Sequence, residues 1–170
     1  MLKLPKDLVP GPDHDAIQAI LAADPKPLWE SGANPVPTLS LSLALAGELK
    51  HALAAGLATQ GLEQIAKELA NEQKGLDALV AKNPSAAQTP RISRLLFVAG
   101  DGSERFYREC DSLLTRYSQR LLAVKLDITG EAFGQAISHV PKLMKAVLVS
   151  DKRAAARVLA SLVKPGPAQR

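Results

Sequence analysis

The chain has 170 residues, 46% of them hydrophobic and 22% charged, with a formal net charge of +4. That suffices to bury one core in a single domain with an appendage, and it excludes a helical membrane span, because no stretch reaches the roughly 18 uninterrupted apolar residues required. The lone cysteine, Cys110, excludes an intramolecular disulfide, and His14, His51 and His139 are too far apart in sequence to read as zinc ligands. Residues 1–90 carry 7 Lys/Arg against 10 Asp/Glu, whereas residues 91–170 carry 14 against 7, so the second half is strongly basic. Summed positive charge of this kind attracts phosphate, RNA or another polyanion. Met1–Asp7 lacks the apolar centre of a signal peptide, so a cytoplasmic protein is expected.

In chain order, residues 1–38 read as a proline-rich arm, with Pro5, Pro10, Pro12, Pro25, Pro27, Pro35 and Pro37 interrupting regular structure. One short helix is expected over Ala16–Ala23, capped by Asp13 or Asp15. Trp29 is expected to dock on the arm's own domain. Residues 39–82 read as a helical pair packing on the core: a helix over about 40–55 capped by Thr38 or Ser40 and ended by Gly56, then an amphipathic helix on Leu62, Ile65, Ala66, Leu69, Leu76, Leu79 and Val80. Asn83–Pro90 reads as a linker.

Residues 91–165 form the clearest unit, a β/α domain. Three apolar runs each end in aspartate: Leu95–Asp101, Leu121–Asp127 and Ala146–Asp151. Their aspartates are 26 and 24 positions apart, the length of a strand, helix and connection, which predicts parallel neighbours with their carboxyl ends on one edge. Ser103 or Asp101, Thr129, and Ser150 or Asp151 are candidate caps for the helices that follow. Cys110 falls on the apolar stripe of the helix after the first strand and reads as a core residue, while Arg105, Arg108, Glu109, Asp111 and Arg116 are expected to face outward. The expected fold is α/β, a three-layer α-β-α sandwich with a small, mainly parallel sheet, preceded by the helical pair and the arm.

Two chemistries fit the shared edge. If Asp101, Asp127 and Asp151 converge, they are candidate Mg²⁺ ligands of an enzyme acting on a phosphate ester; the same residues serve as helix starts if they cap. The turn Val98–Glu104 is neither a P-loop nor a dinucleotide fingerprint. His139 reads as a loop residue. The basic helices offer Arg105, Arg108, Arg116, Lys152, Arg153 and Arg157 as phosphate contacts, which supply affinity more than sequence readout. Six aromatics are too few for a base-stacking platform.

The β-α order from Arg94 to Val163, with the Ala99-Gly100-Asp101 strand end, the short helix Gly130–Ala136 and Val147–Asp151, resembles the ribosomal-protein family that binds kink-turn RNA. The resemblance implies a small α-β-α sandwich that binds RNA without catalysis, and the Phe133-Gly134 step resembles a Leu-Gly step in that family's helix after the second strand. The family's RNA-contacting Gly-x-Asn-Glu helix start, upstream of the first of these strands, is not matched; Gly61-Leu62-Glu63-Gln64 is a distant echo of it. Three functions are therefore expected in order: a non-catalytic binding or adaptor protein touching RNA, the Mg²⁺-dependent enzyme, and a structural subunit meeting a protein partner or a second copy through helices 40–80.

Overall fold

The computed structural model describes residues 2–86, 90–138, 140 and 142–164. His139, Pro141, Pro165 and part of the 83–90 linker lie outside the described residues. The elements are α1 (Pro12–Ala22), β1 (Lys26–Pro27), β2 (Pro35–Val36), β3 (Thr38–Leu39), α2 (Leu43–Ala54), β4 (Ala58–Gln60), α3 (Leu62–Lys82), β5 (Arg94–Val98), α4 (Glu104–Arg116), β6 (Leu121–Leu126), α5 (Gly130–Ile137), β7 (Ala146–Val149) and α6 (Lys152–Ala160). β1 and β2 form a small antiparallel hairpin, and the other five strands make one sheet in the order β3-β6-β5-β7-β4.

The sheet is mixed, which corrects the mainly parallel arrangement expected. β5 runs parallel to β6 and β3 parallel to β6, but β7 is antiparallel to β5, with Leu95 opposite Val149 and Val98 opposite Ala146, and β4 is antiparallel to β7. The reversal has a visible cause. α5 spans only eight residues, after which the chain returns to the edge where α5 began; there the Ala99 N–H donates to the Lys145 carbonyl at 2.8 Å. β7 therefore starts where β5 and β6 end. All four residues of β7 are buried, so its unbroken apolar run records cover on both faces and says nothing of direction.

Alternate strand residues feed two cores, as the pleat requires. Leu95, Phe97, Val124, Leu126, Val147 and Val149 face a layer containing α1, α2, α5 and α6. Leu96, Val98, Leu121, Ala123 and Leu148 face α3, α4 and the hairpin residues Leu28 and Val36. The result is an α-β-α sandwich with α2 and α3 on opposite faces. Segments 38–39 and 58–60 hydrogen-bond into the sheet at its two outer positions.

Local signals decide the helix ends. Ser42, Ser103, Thr129 and Asp151 each accept from the amide three residues on, satisfying one unpaired N–H. Thr38 and Ser40 do not cap α2, because Thr38 and Leu39 are drawn into β3 beside β6. Neither Asp13 nor Asp15 caps α1; both lie in its first turn, behind Gly11 and Pro12. Gly56 ends the α2 region with φ of 74°, a conformation only glycine adopts without strain.

Candidate nucleic-acid interface

The end of the sheet where β5 and β6 finish is here the upper edge. Parallel β5 and β6 bring the turns 99–103 and 127–130 side by side, and antiparallel β7 and β4 add Lys142–Ala146 and the start of α3. The backbones approach too closely for side chains at two glycines. A Cβ on Gly100 would lie 2.9 Å from the Leu126 carbonyl oxygen, and the Gly100 N–H donates to Ile128 at 2.8 Å. A Cβ on Gly134 would fall 1.4 Å from the Lys142 carbonyl oxygen, so only glycine there lets the returning segment lie on α5. This is the physical content of the Phe133-Gly134 step: Phe133 is fully buried in the core while Gly134 admits the backbone of Lys142.

Asp101 does not cap α4. Its Oδ1 accepts from the Gly130 N–H at 2.9 Å and pairs with Lys145 Nζ at 3.1 Å, while Lys145 also donates to the Asp101 carbonyl at 2.9 Å. The hydrogen bond from Lys145, followed by that from Gly130, holds this carboxyl below the usual range. Asp101 thus fastens three loops together. Behind it, Tyr107 donates to the Ala99 carbonyl at 2.6 Å and accepts from Gly102 N–H at 2.9 Å, and burial pushes its phenol up.

Lys142, Leu143, Met144, Lys145 and Ala146 face Gln60, Gly61 and Leu62 across a shallow groove of about 270 Å³. Gly61 precedes α3 with φ of 87°, and its N–H donates to the Ala146 carbonyl at 3.1 Å, which sets the α3 start, with its unpaired amides, beside the groove. The rim carries an exposed apolar group, Leu143 at 63%. Gln60 Oε1 is buried without a hydrogen-bond partner among the described residues. A concave surface with helix amides, two lysines, apolar contact and an unsatisfied acceptor suits an anionic, partly apolar ligand.

The other candidate residues are distributed differently from the sequence-based expectation. Asp127 stays exposed at the upper edge, but Asp151 follows the antiparallel β7 and caps α6 at the far end of the sheet, accepting from Ala154 at 2.9 Å. The three aspartates therefore do not converge, and among the described residues no group of three His, Cys, Asp or Glu side chains is placed to hold a metal ion. The Mg²⁺ site is withdrawn on that ground. The six basic residues also separate: α4, with Arg105, Arg108 and Arg116, covers one face, whereas α6, with Lys152, Arg153 and Arg157, covers the other. Arg105 pairs with Glu109 at 3.4 Å and Arg108 with Glu104 at 3.3 Å, and Arg108 also stacks 4.6 Å from the Trp29 ring centre.

One residue was misjudged from sequence and another was not singled out. Asp111, placed on the outward face of its helix, is only 8% exposed; it accepts from the Ala33 and Asn34 amides at 3.0 and 3.1 Å and from Asn34 Nδ2 at 2.9 Å. Burial opposes its charge, but these hydrogen bonds together outweigh it and hold the carboxyl low. Lys145, not singled out in the sequence, pairs with Asp101 at the upper edge. Cys110 is buried as expected, and desolvation pushes its thiol up to about 12.

No protein-family model and no curated protein matches the chain. In fold, it is similar to a 15.5 kDa RNA-binding protein of Giardia lamblia, with a TM-score of 0.50 at 17% identity, over 81% of this chain and 93% of that one. A protein of unknown function from Bacillus halodurans matches with a TM-score of 0.47 at 17% identity, over 72% of this chain and 96% of that one. At 17% identity the likeness is one of fold, and it agrees with the α-β-α sandwich that the resemblance read from residues 94–163 implies. No helix among the described residues is long and apolar enough to cross a membrane.

Proposed function

We propose that this chain is a non-catalytic RNA-binding protein that holds RNA at the upper-edge groove. The observation carrying this reading is the convergence of the α3 start with Lys142 and Lys145, in a fold shared with an RNA-binding protein. Gly61-Leu62-Glu63-Gln64, the echo of the family's RNA-contacting helix start, is the segment that forms one wall. In this reading the amides and Lys142 contact phosphate, with Lys145 held beside them by Asp101, and Leu143 packs against an unstacked base. Glu63 is turned to solvent and paired with Lys67 at 3.5 Å, which limits its repulsion of phosphate. Arg105 and Arg108 flank the same edge as weaker contacts, since carboxylates already offset their charge.

A protein partner keeps one supporting observation. The outer half of α3 exposes Leu79 and Val80, at 46% and 40%, and a second copy meeting there predicts a concentration-dependent dimer in sedimentation. RNA binding is tested by fluorescence anisotropy with a kink-turn hairpin across a salt series. Lys142→Glu together with Leu143→Ala is expected to weaken binding about tenfold or more and to lower the salt slope by about one. Unchanged affinity in a folded double variant would remove the groove from the function.

A further inference from the structure

The lower edge, where β5 and β6 begin, carries a second basic surface. The Arg120 carbonyl accepts from both Ser93 and Arg94, at 3.0 and 3.1 Å, so residues 91–94 adjoin the end of the α4–β6 connection. Because Val149 pairs with Leu95, the chain leaves β7 beside that same segment and begins α6 with Lys152 and Arg153. Arg116, in the last turn of α4, adds a cation from the opposite face. Six cationic side chains, Arg91, Arg94, Arg116, Arg120, Lys152 and Arg153, thus share this edge.

Their partners are few. Glu72 receives Arg94 Nε at 3.1 Å and also Arg120, so one carboxylate serves two guanidiniums. Arg120 Nε is buried with no hydrogen-bond partner among the described residues. Arg91 donates to the Leu4 carbonyl at 2.6 Å. Among the described residues Arg91, Arg116, Lys152 and Arg153 form no ion pair. Asp151, at the start of α6, accepts from the Ala154 amide at 2.9 Å.

The exposed large hydrophobics nearest this edge, Val9 on the arm and Leu79 and Val80 beyond Glu72 on α3, lie on segments other than α4 and α6, which carry the exposed Arg116, Lys152 and Arg153. Protein interfaces concentrate energy in buried apolar and aromatic anchors, whereas a phosphate backbone is bound by cations alone. The five residues of β5 separate the two edges by about 16 Å, so one narrow groove cannot serve both.

We infer that the lower edge binds the phosphate backbone of a second RNA segment, so that the protein bridges two RNA segments across its sheet. The inference rests on the RNA-binding reading of the upper groove.

The test loads the full chain on a biotinylated kink-turn hairpin held on a surface, then adds a fluorescent single-stranded RNA of unrelated sequence. Loading and retention are read separately. Wild type is expected to load and to retain the label. Lys152→Glu with Arg153→Glu, both exposed positions, is expected to load within about twofold of wild type and to lose retention about tenfold; Lys152→Gln with Arg153→Gln should fall between. Equal retention by the charge-reversed protein, or loading by wild type without retention, overturns bridging while leaving the groove intact. Retention of an acidic peptide in place of RNA overturns the choice of ligand. Failure of wild type to load removes both proposals together.

Discussion

The two ends of the sheet are built on different physics. The upper edge is a close-packed seam, in which Gly100 and Gly134 let backbones meet and Asp101 ties three loops with a short set of hydrogen bonds. The lower edge is held by charge, with Glu72 gathering Arg94 and Arg120 under the middle of α3. Steric seams are insensitive to salt and intolerant of a single methyl group. Ion pairs that are about four-fifths buried are the reverse: they tolerate shape changes, but a lone charge left behind is costly.

The largest effect expected is at Gly134. Gly134→Val places side-chain carbons where the Lys142 carbonyl now lies, and urea unfolding should show a loss of about 3 kcal/mol, largely independent of salt. A variant within about 0.5 kcal/mol of wild type, the range of ordinary surface changes, would mean the seam is loose.

Glu72→Ala strands two arginines that are 20% and 12% exposed and should cost about 3 kcal/mol at low salt, with part of the loss recovered as salt rises. If salt makes no difference, the lower edge is held by packing and the contrast between the edges fails.

Asp111→Asn is smaller, about 2 kcal/mol, because the amide can still accept from one or two of the hairpin amides. The sign with pH follows from its lowered folded pKa. Its contribution is complete above the unfolded value near 4 and is lost as pH falls through the folded value, so wild type should lose stability on acidification while the variant shows a flatter acid limb. Parallel acid limbs would detach the hairpin from this account.

The smallest effect is kinetic. With its thiol raised to about 12, Cys110 should resist alkylation at pH 8 until the chain unfolds, and labelling should follow the unfolding curve. Prompt labelling of the folded protein would place a breach between the sheet and α4.

Much of the sandwich was legible because helix caps and apolar runs are local signals. Ser103, Thr129 and Asp151 cap as their residue types require, and Cys110 lies inside because its stripe does. Strand direction was not legible. A run such as Ala146–Val149 reports burial on both faces, and the deciding feature, Gly134 beneath Lys142, joins residues whose contact no periodicity encodes. The same reversal sent Asp151 to the far edge, which undid the three-aspartate site, and carried Lys142 and Lys145 to the α3 start, where the groove forms. Asp111 was misread for a related reason: an acidic residue between Cys110 and Leu113 looks solvated until the hairpin residues 33–34 arrive to cover it. The distant echo at Gly61–Gln64 gained meaning only from its neighbours in space.

The central claim is that the groove between the α3 start and Lys142–Ala146 holds RNA phosphate. Anisotropy titration of a kink-turn hairpin against wild type and Lys142→Glu, across a salt series, tests it most directly. The account predicts a steep salt dependence in wild type whose slope falls by about one in the variant, with stability unchanged. Identical slopes and affinities for the two proteins would contradict it.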